Sequence, residues 1–238
     1  KCPFCQHILE DSRAPACPVP GFQVITDCAV RECRALILAA GVRHRALGLP
    51  GEEELVGQGI SYCAVCDGPF YPGRPVAVVG GGDTALQDAL FLAGTCSQVT
   101  LIHRRDRFRG EQRLVDQVER RENIRCWMDS TVEELLTRDG RLTGLRVRDG
   151  AAGEERELDV DALFVAVGQE PRNRALTDLL LLDEGGYVMA GEDCKASLPG
   201  VFAAGDCRGK AVRQLTTAVG DGAVAGLAAC RLVDERQS

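Results

Sequence analysis

Cys63-Ala64-Val65-Cys66-Asp67 ends nine residues ahead of the run Val76-Ala77-Val78-Val79-Gly80-Gly81-Gly82-Asp83-Thr84-Ala85. Two thiols at this spacing close a small disulfide ring and reopen it by exchange when one of them is available as thiolate. Asp67 is placed to relay a proton. The same spacing also serves as half of a zinc site or as two buried thiols, but a structural zinc takes four protein ligands and no second tight pair lies nearby. The second run is an apolar, β-branched stretch closing on Gly80-x-Gly82-x-x-Ala85, the pattern of a dinucleotide turn. There the glycines permit a tight turn and close approach of a pyrophosphate, and the small third residue lets helix pack on strand. Nicotinamide chemistry beside a dithiol points to disulfide reduction.

The end of the next strand carries the second clue. A turn selective for NADH places an acidic residue against the ribose 2′-hydroxyl, whereas this chain reads His103-Arg104-Arg105, with Arg109 four residues on. Guanidinium groups bind phosphate through short, often bidentate bonds, so the pattern favours the 2′-phosphate of NADPH over a merely solvated basic helix start. Asp83 and Thr84 fall where the helix begins, either beside a cofactor or as caps of free N–H groups.

These residues require elements to hold them. Residues 75–80 read as a buried strand, 84–94 as a helix and 98–102 as a second strand, one βαβ unit. A helix over 110–121, a strand near 124–128 and strand-like runs at 142–148 and 155–160 follow, with turns at Asp139-Gly140 and Asp149-Gly150. Leu163 to Gly168 reads as another buried parallel strand, and Ala35 to Gly41 echoes it. Ala218 to Ala229 reads as a helix. Two similar domains are the simplest cause of the echo, with crossings near Leu49-Pro50-Gly51 and Gln169-Glu170-Pro171. The expected organisation is an unassigned leader (1–20), part of one domain (21–49), an inserted nucleotide-binding domain carrying the cysteine pair (50–170), and the remainder of the first domain (171–238).

Composition restricts the alternatives. A formal net charge of −7 in 238 residues argues against a nucleic-acid surface or a polybasic membrane patch, and no apolar stretch reaches membrane-spanning length. Nothing at the start reads as a secretory signal, so a cytoplasmic address follows by default. Of twelve cysteines only Cys2/Cys5 and Cys63/Cys66 have paired spacing, and Cys96, Cys126 and Cys230 are expected to be inert, buried small hydrophobes. Cys2-Pro3-Phe4-Cys5 has glutaredoxin-like spacing without room for a glutaredoxin fold around it. No metal site is expected.

In order and spacing, four segments of residues 21–238 resemble the low-molecular-weight thioredoxin reductases: Cys63-Ala-Val-Cys66-Asp67, Gly80-Gly-Gly-Asp-Thr-Ala85, His103 to Arg109, and Val201-Phe-Ala-Ala-Gly205-Asp206 followed by Arg213-Gln214. The resemblance implies an α/β fold with a Rossmann-like NADPH-binding domain inserted into an incomplete Rossmann-like FAD-binding domain. It also implies a homodimeric flavoprotein that passes electrons from NADPH through FAD and its own disulfide to thioredoxin. In those terms Cys63 attacks the thioredoxin disulfide, Cys66 faces the flavin, and Asp67 is acid and base. Gly41, Gly205, Asp206, Arg213 and Gln214 belong to the FAD site. Ala40 stands where Thr commonly precedes the glycine, and Gln87-Asp88 replaces a usual acidic pair. Family members begin with a second glycine-rich turn, and the only glycines before residue 50 are Gly21, Gly41 and Gly48. A leading segment is therefore expected to be absent and the isolated chain to be inactive. The rivals are a flavoprotein feeding a peroxiredoxin and a non-enzymatic NADPH-binding sensor or inactive fragment.

Overall fold

The structure is a computed structural model that describes residues 9–12, 21–150 and 152–235. The chain divides into two compact units, one formed by residues 44–168 and the other by the segments on either side of it in sequence.

The 44–168 unit is built on a five-stranded parallel sheet in the order Ile60–Ser61, Ala162–Ala166, Pro75–Gly80, Gln98–Ile102, Ile124–Trp127. From the central strand Pro75–Gly80 the chain winds outward through two strands, then returns to the other side at Ala162–Ala166. Strand order therefore reverses between those two, the place where open α/β sheets bind ligands. Both faces are covered, which is why these strands read as unbroken apolar runs. Val76, Val78, Val99, Leu101 and Phe164 point to one face and pack on the helices Asp83–Leu92 and Gln112–Glu119 through Leu86, Ala89, Leu92, Leu114 and Val118. Ala77, Ile102, Leu163 and Val165 point to the other, against Leu135, Leu142, Leu145 and Val147.

That second cover is an antiparallel meander of Ser130–Arg138, Arg141–Asp149 and Glu155–Asp159. The turn at Asp139-Gly140 has positive φ at both residues (53° and 75°), the requirement of a tight two-residue hairpin. Sequence periodicity identifies the second and third strands of the meander but not the first. The pairing shifts register between Val132 and Glu134, so Glu133 and Glu134 are both exposed and the period-two pattern is lost there.

In the flanking unit, Leu36–Leu38 pairs in parallel with Val201–Ala203, and Gly21–Ile25 pairs antiparallel with Val30–Cys33 and with Leu9–Ser12. The strand expected over 35–41 is thus only three residues long, and the expected helix over 218–229 extends over Leu215–Glu235. Cys96 is buried, but Cys126 and Cys230 are exposed, contrary to the expectation that all three are core thiols. Cys126 lies on the outermost parallel strand, in its exposed stretch, and Cys230 lies on an exposed face of the last helix.

On the helix Asp83–Leu92, burial without a hydrogen-bonding partner pushes the Asp88 carboxyl up to about 6. A carboxyl raised above its unfolded value near 3.9 binds more protons when folded, so the charge it carries at pH 7 opposes folding and that cost fades as pH falls through about 6 toward 4. Asp88→Asn is therefore expected to raise the melting temperature at pH 7 and to have little effect near pH 4. A loss of stability at pH 7 contradicts this account of the helix.

Candidate functional site

Strand Ile60–Ser61 turns directly into the one-turn helix Ala64–Asp67, and Cys63 is its N-cap, with Sγ accepting from the Cys66 amide at 3.2 Å. Cys63 and Cys66 form a disulfide, with Cα atoms 5.3 Å apart. Ala64 is buried in the helix-side core, while Val65 and Cys66 face outward. Behind the pair, the Ser61 hydroxyl donates to Asp67 Oδ2 at 2.6 Å, and Ser61 Oγ accepts from the Cys63 amide at 3.0 Å. Burial, and then the negative charge of Asp67, push the Tyr71 hydroxyl up. Gly68 fixes the helix from the far side: a Cβ there meets Leu92 Cδ2 at 2.8 Å, so the segment after the disulfide seats on the C-terminal turn of Asp83–Leu92.

The N-terminal end of that same helix is the glycine turn. At Gly80 (φ 157°) a Cβ lies 2.5 Å from the Ala166 carbonyl oxygen and 2.6 Å from Ala85 Cβ, so glycine at the first position and alanine at the third are one packing requirement. At Gly81 a Cβ falls 2.1 Å from the His103 ring. Gly82 is the N-cap, in extended conformation, with no side chain capping the amides that follow. Asp83 is not that cap, because its Oδ1 accepts from the Glu111 amide at 2.7 Å and ties the helix start to the loop before Gln112–Glu119. Thr84 is exposed on the first turn. A helix start whose amides are left open attracts an anion.

His103 is buried, with Nε2 3.1 Å from the Arg107 carbonyl oxygen and its ring stacked on Phe108. Burial, and then the neighbouring Arg109, Arg105 and Arg104, hold the imidazole below its usual range. The ring thus supports the loop that follows, and the Arg109 amide donates to the Gly81 carbonyl at 2.7 Å. Arg104, Arg105 and Arg109 are exposed. A cleft of about 380 Å³ brings together Gly80, Gly81, His103, Arg104 and Arg109, while Gly82, Asp83, Thr84, Ala85 and Arg105 lie in the adjoining turn segments.

In the flanking unit Gly41 (φ 64°) and Gly205 (φ 76°) have backbone conformations that favour glycine. Asp206 follows in the turn Gly205–Cys207; its Oδ1 is buried without a hydrogen bond and has the Lys210 ammonium at 3.5 Å. Arg213 stacks on Tyr187 at 4.0 Å, and the carbonyl of Gln214 accepts from the Ala218 amide at the start of the last helix. Among the described residues no cluster of three or more histidine, cysteine or acidic side chains is arranged to hold a metal ion, and no helix is long and apolar enough to cross a membrane.

Four contributors have no sequence signal. Ser61 is a common residue in an unremarkable place. Arg45 lies outside every motif, yet lines the same cleft as Gly80, His103 and Arg104, its amide bonded to the Gly168 carbonyl at 3.0 Å. Glu52 is buried and accepts from the Leu47 and Gly48 amides and the Tyr62 hydroxyl. Asp221, inside a small-residue helix, accepts from the Gly205 amide, Arg208 and Lys210, which hold its carboxyl well below the usual range.

Residues 24–222 match the family model described as pyridine nucleotide-disulphide oxidoreductase. The chain is 43% identical over 204 residues to a thioredoxin reductase of Listeria monocytogenes, covering 86% of this chain and 64% of that protein. It is 41% identical over 229 residues to one of Mycolicibacterium smegmatis, covering 96% and 73%. The crystal structure of thioredoxin reductase from Streptococcus pyogenes superposes with a TM-score of 0.85 at 36% identity, over 90% of this chain and 70% of that one. The Giardia duodenalis thioredoxin reductase gives 0.85 at 33%, over 96% and 74%. The chain thus spans 64% of the length of its Listeria relative. Sheet, glycine turn, disulfide and these matches agree, and the chain belongs to the pyridine nucleotide-disulphide oxidoreductase family.

Proposed function

We propose that the chain carries the NADPH-binding and dithiol machinery of a thioredoxin reductase, passing electrons from NADPH through FAD and the Cys63–Cys66 disulfide to thioredoxin or a similar protein disulfide. One observation carries the reading. A single parallel-sheet unit bears both a closed Cys-x-x-Cys disulfide and an uncapped glycine-turn helix beside arginines, and non-enzymatic nucleotide binding has no use for the disulfide.

In this reading residues 50–170 are the NADPH-binding domain, and 21–49 with 171–238 belong to the FAD-binding domain. The open amides after Gly82 suit the pyrophosphate, and Arg104, Arg105 and Arg109 suit the 2′-phosphate, with His103 holding their loop in place. The orphaned Oδ1 of Asp206 suits a hydroxyl donor of a flavin side chain, and Gly41, Gly205, Arg213 and Gln214 are its companions. A bound flavin supplies the conversion between two-electron hydride chemistry and sulfur chemistry. Cys63 attacks the partner disulfide, Cys66 resolves the mixed disulfide, and Asp67 carries the proton. The resemblance of its motifs to the low-molecular-weight thioredoxin reductases extends the reading to a homodimer, for which a cytoplasmic address is proposed.

Three outcomes follow. Mass-mapped alkylation before and after mild reduction is expected to show Cys63 and Cys66 changing together while Cys96, Cys194 and Cys207 stay protected. The opposite pattern overturns the dithiol assignment. Calorimetric titration is expected to show tighter binding of NADPH than NADH, with Arg104→Ala weakening NADPH about ten- to a hundredfold, the loss of one charge-assisted bond, and leaving NADH nearly unchanged. Equal losses for both nucleotides remove the 2′-phosphate assignment. With an N-terminal FAD-binding segment supplied, NADPH-driven reduction of thioredoxin is expected, and Cys63→Ser must abolish it. Turnover that survives Cys63→Ser contradicts the function.

A further inference from the structure

We propose that Ser61 is a positioning residue of the dithiol site, its hydroxyl fixing Asp67 Oδ2 behind Cys63 and following the proton that Asp67 exchanges with the cysteines. The proposal rests on the reading of Cys63, Cys66 and Asp67 given above. Ser61 is buried, and its backbone belongs to the parallel sheet through pairing with Phe164. Its Oγ is therefore a fixed point, whereas Asp67 closes a one-turn helix and is half-buried.

Three contacts meet at that oxygen. Ser61 Oγ accepts from the Cys63 amide at 3.0 Å, has Asp67 Oδ2 at 2.6 Å, and has the Cys63 carbonyl oxygen at 3.4 Å. A hydroxyl has one hydrogen and two lone pairs. While Asp67 is ionised the hydrogen points to Oδ2, and the short distance is that of a charge-assisted bond. Once Asp67 takes up a proton, Oδ2–H donates to the second lone pair of Oγ, and the serine hydrogen turns to the Cys63 carbonyl. Every group keeps a partner in both states, so transfer to Asp67 requires one hydroxyl rotation and strands no buried polar atom.

Cys63 Sγ bonds to one sulfur of the partner disulfide, and the other partner sulfur leaves as thiolate and takes the proton that Cys63 gave up. Cys66 passes its proton to Asp67, and its Sγ bonds to Cys63 Sγ. The mixed disulfide breaks, and the second partner sulfur leaves and takes the proton from Asp67. Two thiols of the chain become a disulfide as the partner disulfide becomes two thiols. Removing Ser61 leaves these bonds possible but leaves the carboxylate unfixed.

The test needs neither flavin nor nucleotide. The full chain is reduced with dithiothreitol and desalted, and its exchange with oxidised thioredoxin is followed from about pH 5 to 9 by mass-mapped quenching, with circular dichroism confirming the fold of each variant. Ser61→Ala is expected to slow exchange about tenfold near neutral pH, and Ser61→Thr, which keeps the hydroxyl, to stay within about twofold of the native rate. In an Asp67→Asn background, Ser61→Ala is expected to change the rate less than about twofold. A rate within about twofold of native in folded Ser61→Ala overturns the proposal. So does an equal slowing with and without the Asp67 carboxylate, which assigns Ser61 a structural role only. Native chain that shows no paired reaction at Cys63 and Cys66 overturns the dithiol reading itself, and the proposal with it.

Discussion

At Gly80 the backbone passes so close to Ala166 and Ala85 that one methyl group has no room. This approach joins the central strand to the returning strand Ala162–Ala166 and seats the start of Asp83–Leu92 at the C-terminal end of the parallel strands. The position of the open helix amides depends on it, as does the cleft where strand order reverses. The arginine loop depends on it at one remove. His103 packs over Gly81 and Arg109 bonds back to the Gly81 carbonyl, so the loop is held by the turn it faces.

The same helix organises the sulfur chemistry from its other end. Gly68 seats the segment after the disulfide on Leu92, nine residues from Asp83 and about 13.5 Å along the axis. Ser61 anchors Asp67 to the strand that pairs with Ala162–Ala166. Glycine turn and disulfide are therefore parts of one sheet-and-helix frame without being neighbours on it. That separation suits a carrier between nicotinamide and sulfur, the role proposed for the flavin.

Much of this frame was legible in the sequence because burial on both faces writes strands as continuous apolar runs. Pro75–Gly80 and Gln98–Ile102 have the bounds that the pattern predicts. What escaped had physical reasons. Ser130–Arg138 hides its alternation behind the register shift at Glu133-Glu134. Asp83 reads as a cap from its place before the helix, yet bonds to an amide twenty-eight residues away, a partner that only the fold supplies. His103 reads as a member of a basic cluster, and its burial against Gly81 follows from a glycine pattern usually credited to the ligand alone. Ser61 and Asp221 carry no periodicity or spacing. Their weight comes from which backbone amides and cations the fold turns toward them.

The glycine turn and the arginine loop are proposed to form one NADPH site within the 44–168 unit. Amide chemical-shift mapping of the full chain during titration with NADPH, and separately with NADH, tests it most directly. NADPH is expected to perturb the amides of Gly80 to Ala85 and of Arg104 to Arg109 together and saturably, and NADH to perturb the first group but not the second. Saturable shifts that fall outside both segments, or no shifts with either nucleotide, contradict it.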